Sequence, residues 1–129
     1  MAVNSNIRIL VVDDFSPMRK ALREALEMLK FTNIEEAENG FIALEKLDAA
    51  KFDLVISDWT MPEMDGLELL EKIKATEKIK HIPVMMVTAE AAQKNILKVI
   101  KAGAANYIVK PITVRTLLTK IEKIFNPTS

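Results

Sequence analysis

The chain contains no cysteine. Disulfides, thiolate zinc sites and cysteine nucleophiles are therefore excluded. Its one histidine, His81, cannot form a histidine metal cluster. Net charge is missing too: eighteen basic residues balance eighteen acidic ones. Nothing in that balance points to DNA, RNA or an anionic membrane as a partner. No apolar run reaches the roughly 18 residues that would mark a membrane span. Residues 1–6 lack the charged-then-apolar layout of a signal peptide. A cytoplasmic protein is the expectation. Repeats, low-complexity segments and linkers are also absent, and only residues 1–6 and 126–129 look loose.

What is present suits one domain. The 129 residues are too few for two ordinary domains, and half of them are hydrophobic, enough for one core. Short apolar runs alternate with amphipathic stretches five times. The first run is Ile7, Ile9, Leu10, Val11 and Val12, apolar without strict alternation, as a strand covered on both faces requires. Ser16-Pro17 then reads as N-cap and N1, with Met18, Leu22, Ala25, Leu26 and Leu29 at helical spacing. A run over 34–37 precedes Asn39-Gly40 and a helix through Leu44 and Leu47. Leu54, Val55 and Ile56 form a third strand, and Asp65-Gly66-Leu67-Glu68 reads as a capping box opening a third helix. A strand over 84–87, a helix over 90–102 stopped by Gly103, and a strand over 107–109 follow. Thr113 can cap the last helix, whose stripe is Leu117, Leu118, Ile121, Ile124 and Phe125. Five such units argue for a parallel sheet with helices on both faces. The fourth helix has a wide apolar arc, Ile96, Leu97, Val99 and Ile100; a broad core face is the first reading and a docking edge the second.

Polar residues end these apolar strands. They are Asp13-Asp14, Ser57-Asp58, Thr88, and Lys110 before Pro111. Taken singly, each reads as a loop charge, a turn residue or a cap. Taken together, four strand ends converge on the edge where open α/β sheets bind ligands. Three carboxylates in one place raise one another's pKa unless a cation neutralises them. Mg²⁺ suits such a site, since it takes few carboxylates, several waters and a phosphate oxygen. Lys110 and Thr88 add a cation and a hydroxyl able to steady a phosphoryl group on a carboxylate.

In these residues the chain resembles the response-regulator receiver family. Asp13-Asp14 resembles its acidic pair and Asp58 its phospho-acceptor, with Met61-Pro62 and Asp65-Gly66 as the turn that follows. Thr88-Ala89 and Lys110-Pro111 resemble its hydroxyl residue and its lysine. The likeness runs over about residues 7–125 of a single receiver domain spanning 1–129. The stretches Val11-Val12-Asp13-Asp14-Phe15-Ser16, Ile56-Ser57-Asp58-Trp59 and Met86-Val87-Thr88-Ala89-Glu90 look like the family's stand-alone chemotaxis regulators.

The resemblance implies a flavodoxin-like, doubly wound five-stranded parallel sheet with five helices, in order 2-1-3-4-5, for which those regulators are themselves the standard example. It implies Mg²⁺ held by Asp14, Asp58 and the Thr60 backbone carbonyl, with Asp13 acting through water. It implies that a histidine kinase phosphorylates Asp58, and that Thr88, the Ala89 N–H and Lys110 hold the phosphoryl group. Thr88 and Tyr107 would switch together, reshaping a partner surface at Gln93, Ile96, Tyr107 and Lys120. A monomer is expected, one that catalyses only its own phosphotransfer and autodephosphorylation. With no output domain after Phe125, the signal would leave through a flagellar motor switch protein or another output protein, with a phosphatase possible as a further partner.

Two departures bear on this. Thr60 stands where the chemotaxis type usually has asparagine, and Ala92-Gln93 where it usually has lysines. A phosphorelay intermediate or phosphate sink would share every active-site residue. A phosphatase with an aspartyl nucleophile would place a second Asp at position 60, where this chain has Thr60. A flavin or nucleotide domain would want a Gly- or Ser/Thr-rich loop where Asp13-Asp14-Phe15 stands.

Overall fold

The computed structural model describes residues 3–89 and 93–127. Strands and helices alternate strictly: β1 (Arg8–Val12), α1 (Ser16–Met28), β2 (Asn33–Ala37), α2 (Gly40–Ala49), β3 (Leu54–Asp58), α3 (Gly66–Ala75), β4 (Val84–Thr88), α4 (Gln93–Lys101), β5 (Asn106–Val109) and α5 (Val114–Phe125). All strand pairs are parallel, in the order β2-β1-β3-β4-β5. The flavodoxin-like order expected from resemblance is the order found. The chain turns back at β1 and β3, which makes their C-terminal ends the switch point of the sheet.

Successive strand residues point to opposite faces. Leu10, Val12, Val55, Val84 and Met86 pack on one face with Ala43 and Leu47 of α2, Leu69, Leu70 and Ile73 of α3, and Val99 of α4. Ile9, Val11, Leu54, Ile56, Met85, Val87 and Ile108 pack on the other with Leu22 and Leu26 of α1 and Leu117 and Ile121 of α5. Burial on both faces explains why these strands read as continuous apolar runs. Each such Val, Leu, Ile or Met side chain contributes about 1.5–3 kcal/mol when fully buried.

Three helix starts carry side-chain caps, two of them, Asp65 and Thr113, read from the sequence. Asn39 accepts from the Ile42 N–H, Asp65 from the Glu68 N–H and Thr113 from the Thr116 N–H. The expected Ser16 cap is corrected. Phe15 is the N-cap and Ser16 the first helical residue, because the Phe15 carbonyl already accepts from the Arg19 N–H at 3.1 Å. Pro17 still falls in the first turn, where its missing N–H costs nothing.

Gly103, at φ +106°, stops α4 just past Lys101. The Ala104 N–H donates to Val99 O and the Gly103 N–H to Ile100 O, the paired bonds of a Schellman cap. The expected start at Glu90 lies outside the described residues. The broad-core reading of the α4 arc is also corrected. Val99 is fully buried and Ile96 half-buried, whereas Leu97 and Ile100 are 47% and 41% exposed. The helix therefore leans on the core by one edge and leaves the flank of its arc in solvent.

Candidate functional site

Register brings the polar strand ends together. Val12 pairs with Ser57, so Asp13 comes level with Asp58, the last residue of β3. Asp58 pairs with Val87, which places Thr88 one step further, and Thr88 pairs with Val109, just before Lys110. The Lys110 N–H donates to Thr88 O at 2.8 Å and extends that ladder by one rung.

The three acids meet. Asp13, Asp14 and Asp58 each offer a carboxylate oxygen within 4.8 Å of the others. Asp13 and Asp58 are buried, 1% and 7% exposed, while Asp14 faces solvent. Burial pushes the Asp58 carboxyl up, against the pull of Lys110. Burial also pushes Asp13 up, and the Asp58 charge adds to the rise. Lys110 Nζ sits 3.2 Å from Asp58 Oδ1.

Asp13 is held on several sides. Its N–H donates to Ala37 O, and its Oδ1 accepts from the Phe15 N–H at 2.9 Å. Its carbonyl accepts from Arg19 Nη1 at 2.7 Å. Oδ2 is buried and, among the described residues, has no hydrogen-bond partner. An orphaned carboxylate oxygen beside two further carboxylates is an all-oxygen donor set, and it fits a hard divalent cation such as Mg²⁺.

The loop after β3 is tightly folded. The Trp59 N–H donates to Val87 O, and the Trp59 carbonyl accepts from the Gly66 N–H at 2.7 Å. Between them Met61 and Met64 are buried, and Glu63 has φ +69°. Thr60 and Ala89 lie exposed on the two loops that follow β3 and β4, while Thr88 is buried at the end of β4. A concavity lined by Phe52, Lys78 and His81 among others lies before β3 and β4, at the opposite edge.

Tyr107 and Lys120 stand together outside the acidic cluster. Tyr107 is half-buried and pairs with Met86, and Lys120 Nζ lies 4.4 Å from its ring centroid. Burial, with Lys123 nearby, pulls the Lys120 pKa down. Ile96 is half-buried on α4; Gln93 opens that helix, and its side chain lies outside the described residues. Sequence reasoning missed Arg19. Its only sequence signal is helical spacing with Arg23, and their shared partner, Glu36, lies on another element.

Among the described residues no helix is long and apolar enough to cross a membrane. The model of the response regulator receiver domain matches residues 9–122. The chain is 48% identical over 123 residues to chemotaxis protein CheY-3 of Vibrio cholerae, covering 95% of each. It is 48% identical over 119 residues to chemotaxis protein CheY of Pseudomonas aeruginosa, covering 92% of this chain and 96% of the relative. The solved structure of V. cholerae CheY4 superposes with a TM-score of 0.85 at 30% identity, covering 92% of this chain and 98% of that one. The receiver domain of a Syntrophus aciditrophicus signal transduction histidine kinase superposes at 0.83 with 28% identity, covering 95% and 92%. With an acidic cluster and a lysine at the switch point of the expected sheet, and a family model spanning nearly all of it, this chain belongs to the response-regulator receiver family.

Proposed function

We propose that this chain is a stand-alone, cytoplasmic response regulator, phosphorylated on Asp58 by a histidine kinase with Mg²⁺. The observation that carries the reading is the contact of Lys110 Nζ with Asp58 Oδ1 at 3.2 Å, beside the Asp13 and Asp14 carboxylates. A buried carboxylate with a cation on one oxygen and an acidic metal cradle is equipped to accept a phosphoryl group.

Asp13, Asp14, Asp58 and the Thr60 carbonyl would hold the ion, whose chemistry is to offset the negative charge of the incoming phosphoryl group. An Asp58 oxygen attacks phosphorus. The O–P bond of an acyl phosphate forms as the P–N bond of a phosphohistidine breaks, and the imidazole nitrogen keeps the electron pair. Lys110, the Thr88 hydroxyl and the Ala89 N–H steady the transferred oxygens. Thr88 is then drawn inward, Tyr107 turns into the space left, and the surface of α4, β5 and α5 changes. Phosphorylation acts by preferring one of two pre-existing states.

The output we favour is chemotaxis, through a flagellar motor switch protein docking at Gln93, Ile96, Tyr107 and Lys120. Two relatives named as chemotaxis proteins, each 48% identical over nearly the whole chain, support it. A phosphorelay intermediate or phosphate sink is the second reading. It shares every active-site residue, and Thr60 and Ala92-Gln93 depart from the chemotaxis type. Hydrolysis of phosphate esters is not expected, because position 60 carries no acid.

The test is phosphorylation of the full chain by a small acyl phosphate, read by intact mass with and without Mg²⁺. Wild type should gain one phosphoryl group only with the ion, and Asp58→Asn none. Stoichiometric labelling of Asp58→Asn would sink the assignment. Binding of the phosphorylated chain to a motor switch peptide, rather than to a phosphotransfer protein, separates the two outputs.

A further inference from the structure

Arg19 plays no role in the reaction above, yet it is tied to the acidic pair. It projects from the first turn of α1, and its side chain is 16% exposed. Its Nη1 donates to the Asp13 carbonyl at 2.7 Å and its Nε to Glu36 Oε1 at 3.1 Å. The other oxygen of Glu36 accepts from Arg23 Nε at 2.7 Å, and Arg23 Nη2 donates to the Ile34 carbonyl at 2.9 Å. Two arginines one helical turn apart thus grip β2 through one carboxylate. Both hold the Glu36 carboxyl below its ordinary pKa.

The consequence falls on Asp13. Its N–H, its carbonyl and Oδ1 are all engaged, and Oδ2 alone is left. The Asp13 carbonyl and the Asp14 N–H belong to one planar peptide unit. Holding the carbonyl therefore sets the direction in which the chain enters Asp14. Asp14 lies beyond the end of β1 and faces solvent, so the sheet ladder does not place it.

We propose that Arg19 is a positioning residue for the metal-binding acids: anchored by Glu36, its guanidinium fixes the Asp13–Asp14 peptide so that both carboxylates meet that of Asp58. This rests on the reading of the pocket as an Mg²⁺ site. A purely electrostatic role has the opposite sign. Arg19 is a cation close to a cation site, so deleting its charge would by itself tighten Mg²⁺ binding. Positioning requires that deletion to weaken it.

The experiment is Mg²⁺ titration of the full chain, read by the fluorescence of Trp59 and by calorimetry. Wild type, Arg19→Ala, Arg23→Ala and Glu36→Gln are compared, each checked by urea unfolding. Arg19→Ala should raise the Mg²⁺ Kd on the order of tenfold. Glu36→Gln, which keeps Arg19 but loosens its anchor, should raise it less. Arg23→Ala removes an equal charge from the same helix without touching Asp13, and should leave the Kd near wild type. Should Arg19→Ala fail to fold, Glu36→Gln carries the test. An unchanged or tighter Kd in the deciding variant overturns the inference, and so does an equal loss in Arg23→Ala. Wild type that binds no Mg²⁺ overturns the reading of the pocket, and this inference with it, a result distinct from failure of Arg19 alone.

Discussion

Lys110 reaches back from the end of β5 to place Nζ 3.2 Å from Asp58 Oδ1, across the strand that lies between them. Its backbone is held by the Thr88 carbonyl, so one residue is bonded to the ends of both β4 and β3. Burial raises the Asp58 carboxyl and Lys110 lowers it, and burial is the larger effect. Lys110 thus holds one Asp58 oxygen and offsets part of what burying that carboxylate costs.

Lys110→Ala should therefore separate chemistry from signalling. Asp58 should still be labelled by a small acyl phosphate with Mg²⁺, more slowly than in wild type. Coupling between two sites is on the order of 5–150-fold in affinity. In Lys110→Ala the gain in motor switch peptide affinity on phosphorylation should fall to near unity. Fluorescence anisotropy with a labelled peptide measures it. A gain equal to wild type would remove Lys110 from the switch.

Gly66 is the residue on which the loop after β3 closes. A Cβ there would stand against the Asp58 carbonyl oxygen, 2.6 Å from Met86 Cε and 2.8 Å from Trp59 Cα. Two of these are backbone atoms that cannot step aside. Gly66→Ala should cost about 1–3 kcal/mol in urea unfolding and lower the phosphorylation rate by displacing Asp58. Gly40→Ala is the contrast. Its Cβ would meet Met64 Sδ at 2.5 Å, on a flexible side chain that can turn, so the loss should be smaller.

Much of this was legible in the sequence, because the site residues stand at the ends of apolar runs. Asp13, Asp58, Thr88 and Lys110 needed only the knowledge that parallel strands end together. Long-range polar pairing was not legible. Arg19 and Glu36 are seventeen residues apart, on a helix and a strand, and no spacing rule joins them. Positive φ was hidden as well. Gly103 announced the end of α4, whereas Lys30 and Glu63 adopt left-handed backbone with side chains that usually avoid it. The Ser16 cap failed for a local reason: the Phe15 carbonyl opens α1 one residue earlier. The strand order came from family likeness, since periodicity carries no information on which strands are neighbours.

Glu35 offers a pH test away from the acidic cluster. It accepts from Arg8 Nε at 2.9 Å and from Lys46 Nζ at 3.5 Å. The hydrogen bond from Arg8 is the main cause holding its carboxyl below the ordinary value of 4.5. A lowered folded pKa gives stability that is present above the unfolded value and lost as pH falls through the folded one. The group is about a third exposed, so the effect should stay below about 1 kcal/mol. The stability gap between wild type and Glu35→Gln should be widest near neutral pH and close as pH falls below 4.5. Urea midpoints across that range check it; a gap that widens on acidification would show the sign to be wrong.

Lys30 ends α1 at a cost that can be removed. It is exposed, with φ +75°. The Phe31 N–H donates to Leu26 O and the Lys30 N–H to Glu27 O, so Lys30 occupies the left-handed position of a Schellman cap. A side chain there costs about 1–2 kcal/mol relative to the right-handed region. Glycine removes that cost but loses about 0.5–1 kcal/mol of unfolded-chain entropy. Lys30→Gly should thus stabilise the fold by about 0.5–1 kcal/mol. That corresponds to a rise in Tm of about 2–5 °C. Lys20→Gly, the same substitution at an exposed site within α1, should lower stability by about 1 kcal/mol. Opposite signs from one substitution, ten positions apart, would locate the effect in backbone conformation rather than in lost charge. A destabilised Lys30→Gly would mean that the lysine side chain contributes more to the cap than its backbone strain costs.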